Sequence, residues 1–132
     1  MATLDEQVEW WRRQAEHDLI IARSNRANGF HDACALMCQQ GAEKYLKALT
    51  IKRTAATPPK THQCERLASL LAAPEPVLDA ARLVESDYME SRYPDAAEGV
   101  PFEMFTDADS ADHLRAAEVI EQWVLQQLLP TR

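Results

Sequence analysis

The stretch LDEQVEWWRRQAEHDLIIARSNRANG, residues 4–29, decides the fold. Leu4, Val8, Trp11, Ala15, Leu19 and Ala22 recur at steps of four and three, which gathers them into one stripe on a helix. Asn28-Gly29 ends that helix, since glycine is the usual residue past a helix C-terminus. The spacing predicts a helix over residues 4–27 with an apolar stripe to bury. The short connection after it predicts an antiparallel return.

The returning helix is predicted over residues 30–53. Phe30, Cys34, Met37, Cys38, Ala42, Tyr45, Leu46 and Leu49 cover a wide apolar arc. Cys34, Cys38, Gly41, Ala42 and Ala48 are small enough to let another helix come close. This helix therefore reads as central. Residues 54–60 read as a linker stiffened by Pro58-Pro59. Thr61 is placed to cap a short helix over residues 63–72. A fourth helix is predicted over residues 77–90, and residues 91–105 as a long loop. Thr106 with Asp109 resembles a capping box that opens a last helix, which Pro130 closes near residue 129. Glycine is scarce, with 3 in the chain, and strand-like alternation is absent. The expected fold is all-α: an up-and-down four-helix bundle with one additional short helix. Met37, Tyr45, Leu46, Trp123 and Leu125 exceed what one helix face needs, which points to a homodimer or to a broader core that absorbs them.

A chain of 132 residues predicts a single domain, with 46% hydrophobic and 27% charged residues as in ordinary globular proteins. No run approaches the roughly 18 apolar residues of a membrane span, and residues 1–14 lack a secretory core, so cytoplasm is the expected location. Three cysteines, an odd number, suit reduced thiols better than a disulfide framework. A net charge of -7 argues against general coating of nucleic acid. The charge is uneven, however. Residues 31–66 hold six Lys and Arg against three acids, while residues 85–121 hold eleven acids against Arg92 and Arg115.

The run Arg92-Tyr93-Pro94-Asp95 interrupts the helical pattern, because Pro94 lacks an N–H and restricts the residue before it. Arg92 there either pairs with a neighbouring carboxylate or waits for an anion. On the central helix Gln40, Lys44 and Lys47 share a face and could form an anion-binding edge. A solvated surface with a Glu43–Lys47 pair is the simpler reading of that spacing. Lys60 and His62 would strengthen a helix N-terminus for anions. His31, Cys34 and Cys38 share a face and could take zinc together with Cys64 or His62, but no CxxC pair supports it. No serine or cysteine sits in a glycine-rich elbow. The pairs Arg12-x4-His17 and Arg26-x4-His31 have a spacing used by some helical ribonucleases. Trp10-Trp11 reads as core plus rim. Asp18 reads as a solvated acid that could nonetheless face the Lys44 edge.

Taken together, the chain resembles the HEPN family (higher eukaryotes and prokaryotes nucleotide-binding domain). The likeness rests on Trp11 with Asp18-Leu19, His31-Asp32-Ala33-Cys34, and Cys38-Gln39-Gln40. It continues through Glu43-Lys44-Tyr45-Leu46-Lys47-Ala48-Leu49, Lys60-Thr61-His62, and Tyr88 with Arg92-Tyr93-Pro94. The resemblance implies a helical bundle, commonly a homodimer, acting on or beside nucleotides. Many bacterial members are encoded with a minimal nucleotidyltransferase, and several such pairs behave as toxin and antitoxin. Other members are metal-independent ribonucleases with an Arg-x4-6-His motif late in the bundle. Arg92 falls in that region, but no histidine follows it at four to six positions. The likeness is therefore to the non-nucleolytic branch, with no cofactor and no metal expected.

The resulting expectation is a nucleotide- or substrate-binding module for a ligand of the ATP or GTP type. Lys44, Lys47, His62 and Arg92 would bind phosphate, while Tyr88 and Tyr93 would stack on a base or bond a ribose. Arg92 would join the lysines only if the long loop folds back across the central helix. The alternatives are a ribonuclease toxin pairing Arg92 with His62 or His31, and a non-catalytic helical adaptor.

Overall fold

The computed structural model describes residues 1–86 and 92–130. Seven helices lie among them: α1 (Leu4–Ala27), α2 (His31–Thr54), α3 (Cys64–Leu70), α4 (Glu75–Ser86), α5 (Pro94–Ala97), α6 (Pro101–Met104) and α7 (Asp107–Leu128). The fold is all-α. The four long helices α1, α2, α4 and α7 form the bundle, and α2 touches α1, α3, α4, α6 and α7.

Helix directions follow from the ties between their ends. Lys52 near the end of α2 meets Asp5 at the start of α1, so these two run antiparallel. His31 meets Ser110 at one end of α2 and α7, and Arg53 meets Gln127 at the other, so those two run parallel. Gly29, at φ 80°, supplies the left-handed turn that reverses the chain between α1 and α2.

One stripe of each long helix makes the core. Leu19, Cys34, Cys38, Leu46, Leu49, Leu67, Val84 and Ile120 are fully buried within it. A smaller cluster of Val8, Ala48 and Ile51 lies beside Trp11 and Leu128. The apolar surplus read as a dimer signal is absorbed here. Tyr45 and Leu46 are buried, and Met37, Trp123 and Leu125 pack against the same core. The Tyr45 hydroxyl donates to Glu121 at 2.5 Å, and burial first, then that carboxylate, raises its pKa above the ordinary phenol value.

Three local expectations need correction. Thr61 does not cap α3. Its hydroxyl accepts the N–H of Gln63 two residues on, and Gln63 occupies the cap position without a side-chain bond. Residues 92–105 are not a plain loop but contain α5 and α6. Each opens on a proline, whose fixed φ suits a first helical turn, where its missing N–H costs nothing. The fourth helix begins at Glu75, two residues early, with Pro76 inside its first turn. The Thr106–Asp109 capping box is present as expected.

Candidate functional site

The site is built from the facing sides of α1 and α2. Asp18 follows Trp11 by seven positions and so falls beside the buried stripe of α1. Its carboxylate is 4% exposed. Lys44 Nζ, from α2, donates to Asp18 Oδ2 at 2.5 Å, and Gln14 Nε2 donates to Oδ1 at 2.9 Å. Asp18 is thus a buried counter-charge, not a solvated acid. It aims Lys44 at a cleft of about 320 Å³ lined by Trp10, Trp11, Gln14 and Lys44. Trp11 is half-buried, whereas Trp10 stands 57% exposed at the rim.

Beside it on α2, one residue before Lys44, Glu43 is the centre of a second set. It is buried, and Lys47 Nζ lies 3.5 Å from its Oε2. His62 Nδ1 donates to Oε1 at 2.8 Å. Gln39 Nε2 reaches the same oxygen at 3.3 Å and the carbonyl of His62 at 3.1 Å. Gln40 in turn donates to Gln39 at 2.8 Å. Lys47 also rides over the Trp11 ring, 5.8 Å from its centroid, within the range of a cation–π contact. The Glu43–Lys47 pair therefore exists at the expected spacing, but inside the protein. A buried pair of this kind must satisfy its hydrogen bonds, which is what Gln39 and His62 do for the carboxylate.

Lys44, Lys47 and His62 are thus brought to the same region of α2, each held by a buried carboxylate. Tyr88 lies outside the described residues. Arg92 and Tyr93 are exposed ahead of α5, with the guanidinium 5.3 Å from the tyrosine ring centroid. Helix α6, further along the same segment, touches α2. Near α3, burial and the Glu65 carboxylate raise the pKa of Glu85 above the ordinary carboxylate value.

The other sequence pairs are tied up structurally. Arg12 bridges Glu9 and Glu16 along α1. Arg26 meets Asp107 at 3.1 Å, and His31 Nδ1 lies 2.9 Å from the Ser110 hydroxyl. Both contacts fasten the start of α7 to the turn between α1 and α2. Among the described residues, no group of three or more His, Cys, Asp or Glu could hold a metal ion.

Residues missing from the sequence-based site are Asp18, Gln14, Glu43, Gln39 and the two tryptophans. The available signal was an acid at helical spacing beside an apolar stripe, facing a helix rich in lysine.

The HEPN domain model matches residues 8–128. The chain belongs to the HEPN family. Its HEPN fold superposes on the crystal structure of ST0689, an archaeal HEPN homologue, with a TM-score of 0.81 and 33% identity over 92% of this chain and 98% of that one. TT1696 from Thermus thermophilus matches this HEPN domain with a TM-score of 0.84 and 28% identity, at the same coverage. No curated protein matches the chain in sequence. No helix among the described residues of this HEPN domain is long and apolar enough to cross a membrane.

Proposed function

We propose that this HEPN domain is a cytoplasmic nucleotide- or substrate-binding module that works as a homodimer beside a minimal nucleotidyltransferase, in a pair of toxin–antitoxin type. The observation that carries the binding part is the cleft shared by Trp10, Trp11, Gln14 and Lys44. Indole faces accept a base by stacking, which is worth about 1–3 kcal/mol per base and tolerates any sequence. An ammonium group beside them accepts a phosphate. Asp18 holds that ammonium in place before a ligand arrives, so little side-chain entropy is left to lose. His62 extends the basic edge, Lys47 backs it from inside through Glu43, and Arg92 offers a planar fork for the same phosphates. The transferase partnership rests on the family resemblance, in which many bacterial members are encoded beside such an enzyme.

A thermal-shift titration with ATP, GTP and their monophosphates tests the binding part, because a ligand of the native state raises its stability. The wild type is expected to shift. Lys44→Met and Trp10→Ala are expected to lose the shift, with Arg92→Ala reporting whether the 92–95 run contributes. No shift at millimolar nucleotide overturns the binding reading. Co-purification with a transferase encoded beside the gene tests the partnership separately.

A further inference from the structure

Beyond Trp10, the outer side of α1 carries a row of side chains that the cleft does not account for. Val8, Ala15, Leu19 and Ala22 turn into the core. On the opposite side Trp10, Arg13, His17, Ile20 and Ser24 face solvent at alternating steps of three and four. Trp10 and Ile20 are 57% and 53% exposed. The row has the spacing at which two helices meet in a coiled coil, apolar at Trp10 and Ile20 and polar at Arg13, His17 and Ser24.

The row is its own complement. With a second α1 laid antiparallel and the two-fold axis at the level of Ala15, Trp10 of each copy meets Ile20 of the other. Arg13 comes beside His17 and Glu16, Gln14 meets Gln14, and on the flank Glu9 meets Arg23. Arg12 already holds Glu9 and Glu16 on one side of the helix. Opposite charges thus meet at Glu16–Arg13, twice by symmetry, while Arg23, beside Glu9 of the other copy, already lies 3.8 Å from Glu118 and 3.7 Å from Glu121 of α7. One approach of like charge remains, Glu16 to Glu16, at the exposed edge. A parallel arrangement would stack Arg13 on Arg13 and His17 on His17 with no such compensation. Charge pattern along a seam sets partner and orientation.

We propose that this face of α1 is the contact between two copies of the chain, packed antiparallel about a two-fold axis with Ile20 of each seated on Trp10 of the other. The inference rests on the homodimer in the reading above and names its face. Trp10 belongs both to this row and to the rim of the Lys44 cleft, so the second copy borders that cleft.

Light scattering on the eluting full-length chain is expected to give twice 14.9 kDa for the wild type. Ile20→Glu, at an exposed position, is expected to lose the dimer while its circular dichroism stays unchanged and its melting no longer depends on protein concentration. Mixed Arg13→Cys and His17→Cys chains are expected to form a covalent heterodimer on mild oxidation, because the native cysteines are buried. A wild type that is monomeric overturns both this inference and the homodimer itself. A dimer that survives Ile20→Glu, or that gives no cross-link between positions 13 and 17, overturns the α1 face alone and leaves the homodimer and the nucleotide cleft standing.

Discussion

His62 Nδ1 lies 2.8 Å from a carboxylate oxygen of Glu43, 19 positions earlier in the chain. The same carboxylate is the counter-charge of Lys47, and both members of that ion pair are buried. Glu43→Ala therefore strands an ammonium group inside the protein. Removing one partner of a buried pair costs about 3–5 kcal/mol. Urea denaturation should show a loss of that size. Glu43→Gln, which keeps the shape and an acceptor for His62, should lose clearly less. Equal losses would mean that packing, not charge, sets the role of Glu43.

Gly41 lies where α2 comes up against α1. A Cβ added there would stand 2.6 Å from Leu19 Cδ2 and 3.3 Å from the carbonyl oxygen of Ala15. The leucine methyl can turn aside, but the Ala15 backbone is fixed in its helix. Overpacking costs about 1–3 kcal/mol, and the better helix propensity of alanine returns about 1 kcal/mol. Gly41→Ala should lower the melting temperature by a few degrees, and Gly41→Val by much more. A melting temperature raised by Gly41→Ala would contradict the close approach.

Burial, and then the nearby Glu43 carboxylate, push the Cys64 thiol well above the ordinary thiol pKa. The thiol keeps its proton in the folded state and gives it up more readily in the unfolded chain. Above about pH 8.5 the unfolded state binds fewer protons than the native one. Stability then falls with pH, by up to about 1.4 kcal/mol per unit from this group. Cys64→Ala should flatten the decline between about pH 8.5 and 10, read from urea melts at several pH values. Identical declines in the two proteins would remove Cys64 as the source.

Thr106 and Asp109 exchange two hydrogen bonds at the start of α7. The threonine hydroxyl accepts the Asp109 N–H at 3.2 Å, and the aspartate accepts the Thr106 N–H at 2.8 Å. Thr106→Ala should cost about 1 kcal/mol, and Thr106→Ser only a fraction of that. Amide exchange in the first turn of α7 should speed up in the alanine variant.

The helical frame was legible because its signals are local and periodic. The α1 stripe and Gly29 gave both ends of the first helix, and Thr106 with Asp109 gave the start of the last. Thr61 misled because a threonine hydroxyl bonds its neighbour's backbone as readily as a helix end. Pro94 was read as a breaker, although its fixed φ opens α5, as that of Pro101 opens α6. The candidate site was half legible. Lys44, Lys47 and His62 stood out by charge and spacing. Whether they faced water or carboxylates depended on how α1 docks on α2 and where residues 60–63 lie. Neither follows from periodicity within one helix.

Helix α2 is buried on several sides at once, since α1, α3, α4, α6 and α7 all rest against it. Of its residues from Gly41 to Ile51, only Lys44 is more than marginally open to solvent. A helix so enclosed has no room to vary, and most changes along it would be paid in stability. Any change in what the domain recognises must then be written elsewhere, in the outward residues of α1, the strap at residues 60–63 and the proline-opened turns. The central helix serves as a fixed keel, and adaptation is left to the parts that lean on it.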